Sequence, residues 1–142
     1  MNPEPTEIDA RFGQAGFDDP TPFMQATGLH LSEIGPDRVT GWIDLGPDQH
    51  QPSGIVHGGV YAAAVEEAAS YGASLAVAAH GQQAVGVANL TNFIRPMSEG
   101  RVEVEAVPLH QGRTQQLWEV RITSGGKPVA LGQLRLQNVP RA

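Results

Sequence analysis

Residues 57–80, HGGVYAAAVEEAASYGASLAVAAH, contain the strongest indication of the fold class of this chain. Alanine dominates the run and no proline interrupts it, so the sequence predicts one long helix. Gly58 and Gly59 lower helix propensity, and we therefore expect them in the first turn, where the backbone must approach another group. Because almost no side chain is bulky, we expect neighbours to enclose the helix, while Glu66 and Glu67 argue against a membrane span.

Extended segments of good β-propensity surround this helix in the sequence. Two precede it, residues 29–34 and 39–45, and four follow it, residues 84–94, 101–108, 114–124 and 128–138. Apolar and charged residues alternate along several of them, as in antiparallel sheets with one covered face. Since no β-α-β rhythm occurs, we predict an α+β fold in which a six-stranded antiparallel sheet wraps the long helix. Residues 1–20 are expected to form a partly ordered leader and residues 21–142 a single domain with a short helical turn at 21–27.

The composition excludes several classes of function. The 142 residues include 9 Lys and Arg against 15 Asp and Glu, a formal net charge of −6, and no cysteine. A nucleic-acid partner is therefore not expected, and disulfides and Cys-based metal sites are absent. The spacing of His50, His57 and Glu66 fits no standard ligand set, so no metal site is predicted. No secretory signal is recognisable, and we expect a cytoplasmic protein without membrane contact.

One candidate reactive group is a carboxylate within the small-residue helix. Glu66 and Ser70 are four residues apart and share a helix face, whereas Glu67 points about 100° away. The amides at Gly58 and Gly59 form a second candidate, because a helix N-terminus favours an oxygen that gains negative charge. From Gly58 to Glu66 the helix rises about 12 Å, too far for both to reach one carbon. If the two act together, the carboxylate comes from a second copy of the chain, which predicts at least a homodimer.

These residues form a recognisable pattern: QPSGIVHGG at residues 51–59, an acid nine positions after His57, and a hydroxyl four positions later. Residues 92–96, NFIRP, and 99–102, EGRV, extend it. The pattern resembles the hotdog-fold acyl-CoA thioesterases, in the branch of the phenylacetate-pathway and 4-hydroxybenzoyl-CoA thioesterases. The resemblance runs from about residue 29 to residue 138. It implies a hotdog fold, two active sites at a homodimer interface, and frequent assembly into homotetramers.

The resemblance also implies roles for individual residues. Glu66 matches the catalytic base or nucleophile of the family, and Gly58 matches the residue whose amide polarises the thioester carbonyl. Gln51 and Ser70 match the residues that place the carbonyl and the water, and His57 lines the site. The substrate is then an acyl-CoA, and no cofactor is required because coenzyme A belongs to the substrate.

Coenzyme A carries phosphates that need basic or hydroxyl partners. Arg95, Arg113 and Thr114 are candidates, since they are predicted at strand ends or turns where guanidinium and hydroxyl groups can meet phosphate oxygens. The amide of Gly59 is a further candidate substrate contact.

Two other functions remain open on the sequence alone. A hotdog hydratase or dehydratase would use His57 and Glu66 as its acid and base, although the His-Phe-Pro-Gly run of the dehydratases is missing. A non-catalytic acyl-CoA binding or sensing protein is the second alternative. Such a regulator would be expected to lack the acid or to carry a DNA-binding segment. The sequence does not identify the acyl group.

Overall fold

The structure, a computed structural model, describes residues 20–142. The predicted leader therefore lies outside the described residues, apart from Pro20. The first element, α1, is the helix Pro22–Thr27, which begins where the Thr21 side chain accepts a hydrogen bond from the Met24 amide. It ends at Gly28, whose φ of 78° is a left-handed conformation that favours glycine. The predicted helical turn at residues 21–27 is confirmed.

The remaining elements follow the predicted order of two strands, one long helix and four strands. They are β1 (Leu29–Ile34), β2 (Val39–Leu45), a 3₁₀ turn (Pro47–Gln49), α2 (Gly58–Ala78), β3 (Gln82–Phe93), β4 (Gly100–Gln111), β5 (Gln115–Ser124) and β6 (Lys127–Pro140). The strands form one sheet in the order β1-β2-β4-β5-β6-β3, and every neighbouring pair is antiparallel. Because α2 packs across this sheet, the predicted α+β hotdog fold is confirmed.

Small residues of α2 allow the helix to approach the sheet closely. A Cβ added at Gly72 would lie 2.4 Å from the buried Trp118 ring of β5, so only glycine fits there. At Gly132 of β6, an added Cβ would lie 2.5 Å from Val65 of the helix. No helix among residues 20–142 is both long and apolar enough to span a membrane.

Strand β4 extends beyond its predicted end. The sequence predicts a break after Pro108, but β4 continues to Gln111. Pro108 itself pairs with Trp118 of β5, and the register shifts directly after it, between Pro108 and His110. The pairing with β2 ends before the proline, at Ala106. The predicted turn at residues 110–112 is correspondingly shorter.

One side of the domain is left uncovered by the chain itself. The helix positions on this side are exposed or only half-buried: Gly59, Ala62, Ala63, Glu66, Glu67 and Ser70. Strand β3 is one of the two edges of the sheet. The strand and the residue that follows it expose large apolar side chains: Val85, Val87, Leu90, Phe93 and Ile94. The prediction of a helix enclosed on all sides is therefore wrong for a single chain. Its own sheet covers only one side of α2.

Candidate active site

The start of α2 leaves one glycine amide without a partner. His57 is the N-cap, and its Nδ1 accepts a hydrogen bond of 2.8 Å from the Gly59 amide. Gly58 is the first helical residue, and its amide has no hydrogen-bond partner among residues 20–142. The two glycine amides thus differ. The Gly59 amide is hydrogen-bonded to the His57 side chain, whereas the Gly58 amide remains available to donate to an oxygen.

The Gln51 side chain offers a second donor close to the start of α2. Residues 51–55 form a tight loop, in which the Gln51 amide donates to the Ile55 carbonyl and the Gly54 amide donates to the Gln51 carbonyl. The Gln51 Oε1 accepts a hydrogen bond of 2.7 Å from the Ser53 amide. This bond fixes the orientation of the side-chain amide and leaves Nε2, a donor, without a partner in the described chain.

Both donors belong to one cavity of about 310 Å³, which we call the amide cavity. Its lining residues are Gln51, Ile55, Val56, Gly58, Tyr61, Phe93, Ile94, Arg95 and Pro96. The wall is largely apolar, so a hydrogen bond to an oxygen inside it is stronger than the same bond in water. The amide cavity can therefore hold and polarise a carbonyl group.

Glu66 and Ser70 lie in a different cavity, about 290 Å³ in volume, which we call the acid cavity. It is lined by Phe23, Met24, Ala63, Glu66, Glu67, Ser70 and Tyr71. Glu66 is exposed and Ser70 is half-buried one turn further along the helix, as their spacing predicts. Glu66 forms no ion pair within the described chain. Its carboxylate is accessible to a substrate or a water molecule.

The single chain does not bring the amide and the acid together. No residue lines both the amide cavity and the acid cavity, although Gly58 and Glu66 belong to the same helix. Both face regions that the chain leaves open, and Phe93 of the edge strand β3 borders the amide cavity. Within the described chain, the two parts of the predicted catalytic arrangement therefore lie in separate cavities.

Glu67 differs from Glu66 in its surroundings. Burial raises its pKa from 4.5 to about 7, and it has no ion-pair partner among residues 20–142. Burial also raises the pKa of Tyr71 to about 12, with a smaller contribution from the Glu67 charge. Glu67 thus lies on the Tyr71 side of the acid cavity, where its charged form is disfavoured.

This shift predicts a pH-dependent stability effect of Glu67→Gln. Ionised Glu67 is unfavourable in the folded protein, so its cost is absent below pH 4.5, grows up to about pH 7 and stays constant above that value. Because the side chain is only half-buried, we take the free-energy cost of ionised Glu67 in the folded protein to be about 1 kcal/mol, which is less than the full pKa shift would give. We expect Glu67→Gln to raise Tm by about 3 °C at pH 8 and to leave it nearly unchanged at pH 4.5. Equal shifts in thermal melts at both pH values would contradict this assignment.

The other predicted residues occupy separate places. His57 borders a neighbouring cavity with His50 and Gly59, on the α1 side of the helix start. Arg95 lines the amide cavity, whereas Arg113 lines a larger cleft near the end of α2 that also contains His80. Thr114 is exposed on the same turn as Arg113. Of the three residues predicted to hold phosphate, only Arg95 lines the same cavity as Gly58.

No metal centre is found in the described residues. Among residues 20–142, no group of three or more His, Cys, Asp or Glu side chains is arranged to hold a metal ion. The His50 ring lies 2.6 Å from the Ser98 carbonyl oxygen and so connects two loops.

Sequence reasoning assigned no catalytic role to two side chains at the amide cavity, those of Phe93 and Tyr61. The Phe93 ring occupies the space beside Gly58, where an added Cβ would lie 2.6 Å from it. Tyr61 is 3% exposed, and its hydroxyl, alone among the buried side-chain atoms of the described residues, has no hydrogen-bond partner. Position in the sequence could have suggested Tyr61, which is one turn after Gly58. Its unpaired hydroxyl could be found only in the structure.

Comparisons with known proteins agree with this geometry. The sequence model of the Thioesterase superfamily matches residues 53–130. A Mycobacterium tuberculosis protein named "Putative esterase" is 46% identical over 121 residues, which cover 83% of this chain and 86% of the relative. The solved structure of that protein has a TM-score of 0.82 and covers 86% of this chain and 99% of its own.

A second solved structure carries the name thioesterase. It comes from Haemophilus influenzae, is 29% identical and has a TM-score of 0.75, covering 82% of this chain and 81% of its own. The family model includes Gly58, Glu66 and Ser70 within its matched range. With its single long helix and six-stranded antiparallel sheet, this chain belongs to the Thioesterase superfamily, in its hotdog fold.

Proposed function

We propose that the protein is an acyl-CoA thioesterase, which hydrolyses a thioester to a free acid and coenzyme A. Membership of the Thioesterase superfamily supports hydrolysis of a thioester. The observation that carries the proposal is the unpartnered Gly58 amide, which borders one cavity with the Gln51 side-chain amide. Two donors in a largely apolar cavity suit a carbonyl oxygen that becomes an oxyanion.

The active site is proposed to form between two copies of the chain. Strand β3 is an edge of twelve residues with exposed apolar side chains, and such an edge is a template for pairing with another strand. A second copy placed there would also cover the open side of α2, which carries Glu66. The Gly58 amide of one protomer then faces the Glu66 carboxylate of its partner. The homodimer is the proposed catalytic unit, and two homodimers form the proposed homotetramer.

In the reaction, a water molecule adds to the thioester carbon while Glu66 accepts one of its protons. The carbonyl oxygen becomes negative and accepts hydrogen bonds from the Gly58 amide and from Nε2 of Gln51. The C–S bond then breaks, the carbonyl reforms, and the coenzyme A thiolate leaves with the proton that Glu66 held. Ser70, one turn from Glu66, positions the water. His57 orients the helix start through its cap to the Gly59 amide.

A second route leads to the same products. Glu66 attacks the thioester carbon directly, which releases the thiolate and leaves a mixed anhydride that water then hydrolyses. Trapping the mixed anhydride separates the routes. In a single turnover in heavy-oxygen water, label in Glu66 would prove the anhydride route, because it arises only when water attacks the glutamyl carbon of the anhydride.

Arg95 is the proposed partner of the negatively charged part of coenzyme A nearest the amide cavity. It lines that cavity and forms no ion pair within the described chain. Arg113 and Thr114 are the proposed contacts for phosphates of the coenzyme A portion of the substrate that lie further from the thioester. Acyl-CoA is a cytoplasmic metabolite class, and we propose a cytoplasmic location on that basis.

A panel of acyl-CoAs tests the proposal. Aromatic, short-chain and long-chain acyl-CoAs are incubated with the protein, and free thiol is measured. We expect at least one acyl group to be hydrolysed with kcat of about 1 s⁻¹ or more. Binding of several acyl-CoAs without thiol release would favour a sensing protein instead. Hydration of crotonyl-CoA without thiol release would favour a hydratase.

A further inference from the structure

Buried polar side chains of the core have hydrogen-bond partners within residues 20–142, and the Tyr61 hydroxyl is the exception. Tyr61 is 3% exposed, and its hydroxyl has no hydrogen-bond partner within residues 20–142. Leaving a buried hydroxyl unpaired is unfavourable, and a phenylalanine of the same shape would avoid this cost. The buried amide of Gln116, by contrast, bonds to the Ala73 carbonyl, to Asn138 and to Trp118. The hydroxyl of Tyr61 therefore needs an explanation beyond packing.

Tyr61 lies beside the groups proposed to hold the thioester. It lines the amide cavity together with Gly58 and Gln51. It is three residues after Gly58, on the same side of the helix, and helical side chains lean towards the N-terminus. The Phe93 ring connects the two: it fills the space beside Gly58 and packs 6.2 Å from the Tyr61 ring, between centroids.

We propose that the Tyr61 hydroxyl is a third donor to the thioester oxygen, in addition to the Gly58 amide and Nε2 of Gln51. A carbonyl oxygen has two lone pairs, which two donors satisfy in the bound substrate. When water or Glu66 adds to the carbon, the oxygen gains a negative charge and a third lone pair, and the third donor then finds its partner. This inference rests on the proposed thioesterase function and adds a residue to its machinery.

The hydroxyl acts as a hydrogen-bond donor and keeps its own proton throughout. Burial raises the pKa of Tyr61 above its ordinary value of 10.0, so the phenol remains neutral at physiological pH. No bond is made or broken at Tyr61. Its contribution is an interaction that is stronger in the transition state than with the bound substrate, which affects kcat more than KM.

Tyr61→Phe tests the proposal, because it removes the hydroxyl and keeps the ring. With an acyl-CoA that the wild type hydrolyses, we expect kcat to fall about 10- to 100-fold while KM stays within about twofold. We also expect Tm to rise by about 3 °C, since an unpaired buried hydroxyl has been removed. Lower activity in a more stable protein is a combination that a purely structural role would not produce.

Ser74→Ala is the matched control, because it removes another buried hydroxyl from α2. The Ser74 Oγ accepts a hydrogen bond of 3.1 Å from the Ala84 amide, far from the amide cavity. We expect this variant to have a lower Tm and an unchanged kcat.

Three results would overturn the proposal for Tyr61. They are an unchanged kcat in Tyr61→Phe, a rise in KM at constant kcat, and a fall in kcat accompanied by a lower Tm. If Glu66→Gln abolishes thiol release while Tyr61→Phe is fully active, the thioesterase function stands and only the role of Tyr61 is refuted. If the wild type releases no thiol from any acyl-CoA, the proposed function itself is refuted.

Discussion

Glu66→Gln is expected to lower kcat for acyl-CoA hydrolysis by about 10²- to 10⁴-fold, whereas Glu67→Gln is expected to retain kcat within about threefold. Glutamine has nearly the shape of glutamate but neither accepts a proton from water nor attacks a thioester. The large effect is expected at Glu66 because this carboxylate is exposed on the open side of α2, one turn from Ser70. Glu67, half-buried towards Tyr71, is expected to affect stability rather than turnover.

The comparison requires thiol release to be measured at saturating acyl-CoA, together with thermal melts of both variants. The two substitutions are adjacent and chemically identical, so each serves as the control for the other. Equal activity of the two variants would refute the assignment of Glu66. A larger loss in Glu67→Gln would transfer the catalytic role to the neighbouring residue.

The fold could be predicted from the sequence because its local signals agree with one another. The alanine-rich run gave the helix, and the alternation along residues such as Val102, Glu103 and Val104 gave antiparallel strands with a buried face. The end of β4 could not be predicted in the same way. Pro108 is normally unfavourable within a strand, and only the structure shows that the pairing with β5 continues past it while the pairing with β2 ends at Ala106.

The site could be predicted only in part, because its decisive features are polar groups that have no hydrogen-bond partner in the described chain. Helix-end chemistry alone does not distinguish the amides of Gly58 and Gly59, and in the sequence analysis only the family resemblance singles out Gly58. The cap of His57 on the Gly59 amide makes them different, and this depends on the χ angles of a single side chain. The unpaired hydroxyl of Tyr61 depends on everything packed around it. Such features follow from tertiary packing and leave no pattern in the sequence.

Gly58→Pro is the substitution that removes the proposed oxyanion donor itself. Proline has no amide hydrogen, and it is favoured at the first helical position, where that hydrogen has no intrahelical acceptor. The preceding residue, His57, has φ −64° and ψ 130°, which is compatible with a following proline. We expect the helix to form and kcat to fall about 10²- to 10³-fold.

Gly58→Ala is the control for the steric part of this change. Its Cβ would lie 2.6 Å from the Phe93 ring before any adjustment, as the Cβ of proline would, but the amide hydrogen is retained. The ratio of kcat between the alanine and proline variants therefore measures the loss of the donor together with the effect of the proline Cδ, which replaces the amide hydrogen. A ratio near one would show that the Gly58 amide does not stabilise the oxyanion.

Mixing the two inactive variants is expected to restore activity, because the amide and the acid come from different protomers. In a heterodimer of Glu66→Gln and Gly58→Pro, one site keeps both an intact Gly58 and an intact Glu66, while the other site lacks both. After denaturation and joint refolding at equal amounts, random pairing should recover about a quarter of the wild-type activity. Each variant refolded alone should stay inactive, and light scattering should give a mass of at least twice the 15.1 kDa of the chain.

This experiment distinguishes a shared site from two sites that each lie within one chain. If Gly58 and Glu66 of the same protomer acted together, every chain in the mixture would carry one defect and no activity would return. The distance along the helix makes that outcome physically unfavourable, since about 12 Å of helical rise separates the two residues and no cavity contains both. Absence of complementation in a sample with the mass of a dimer or tetramer would therefore refute the proposed interface along the edge strand β3. It would also refute the proposal that Glu66 of one protomer acts on a thioester bound by Gly58 of the other.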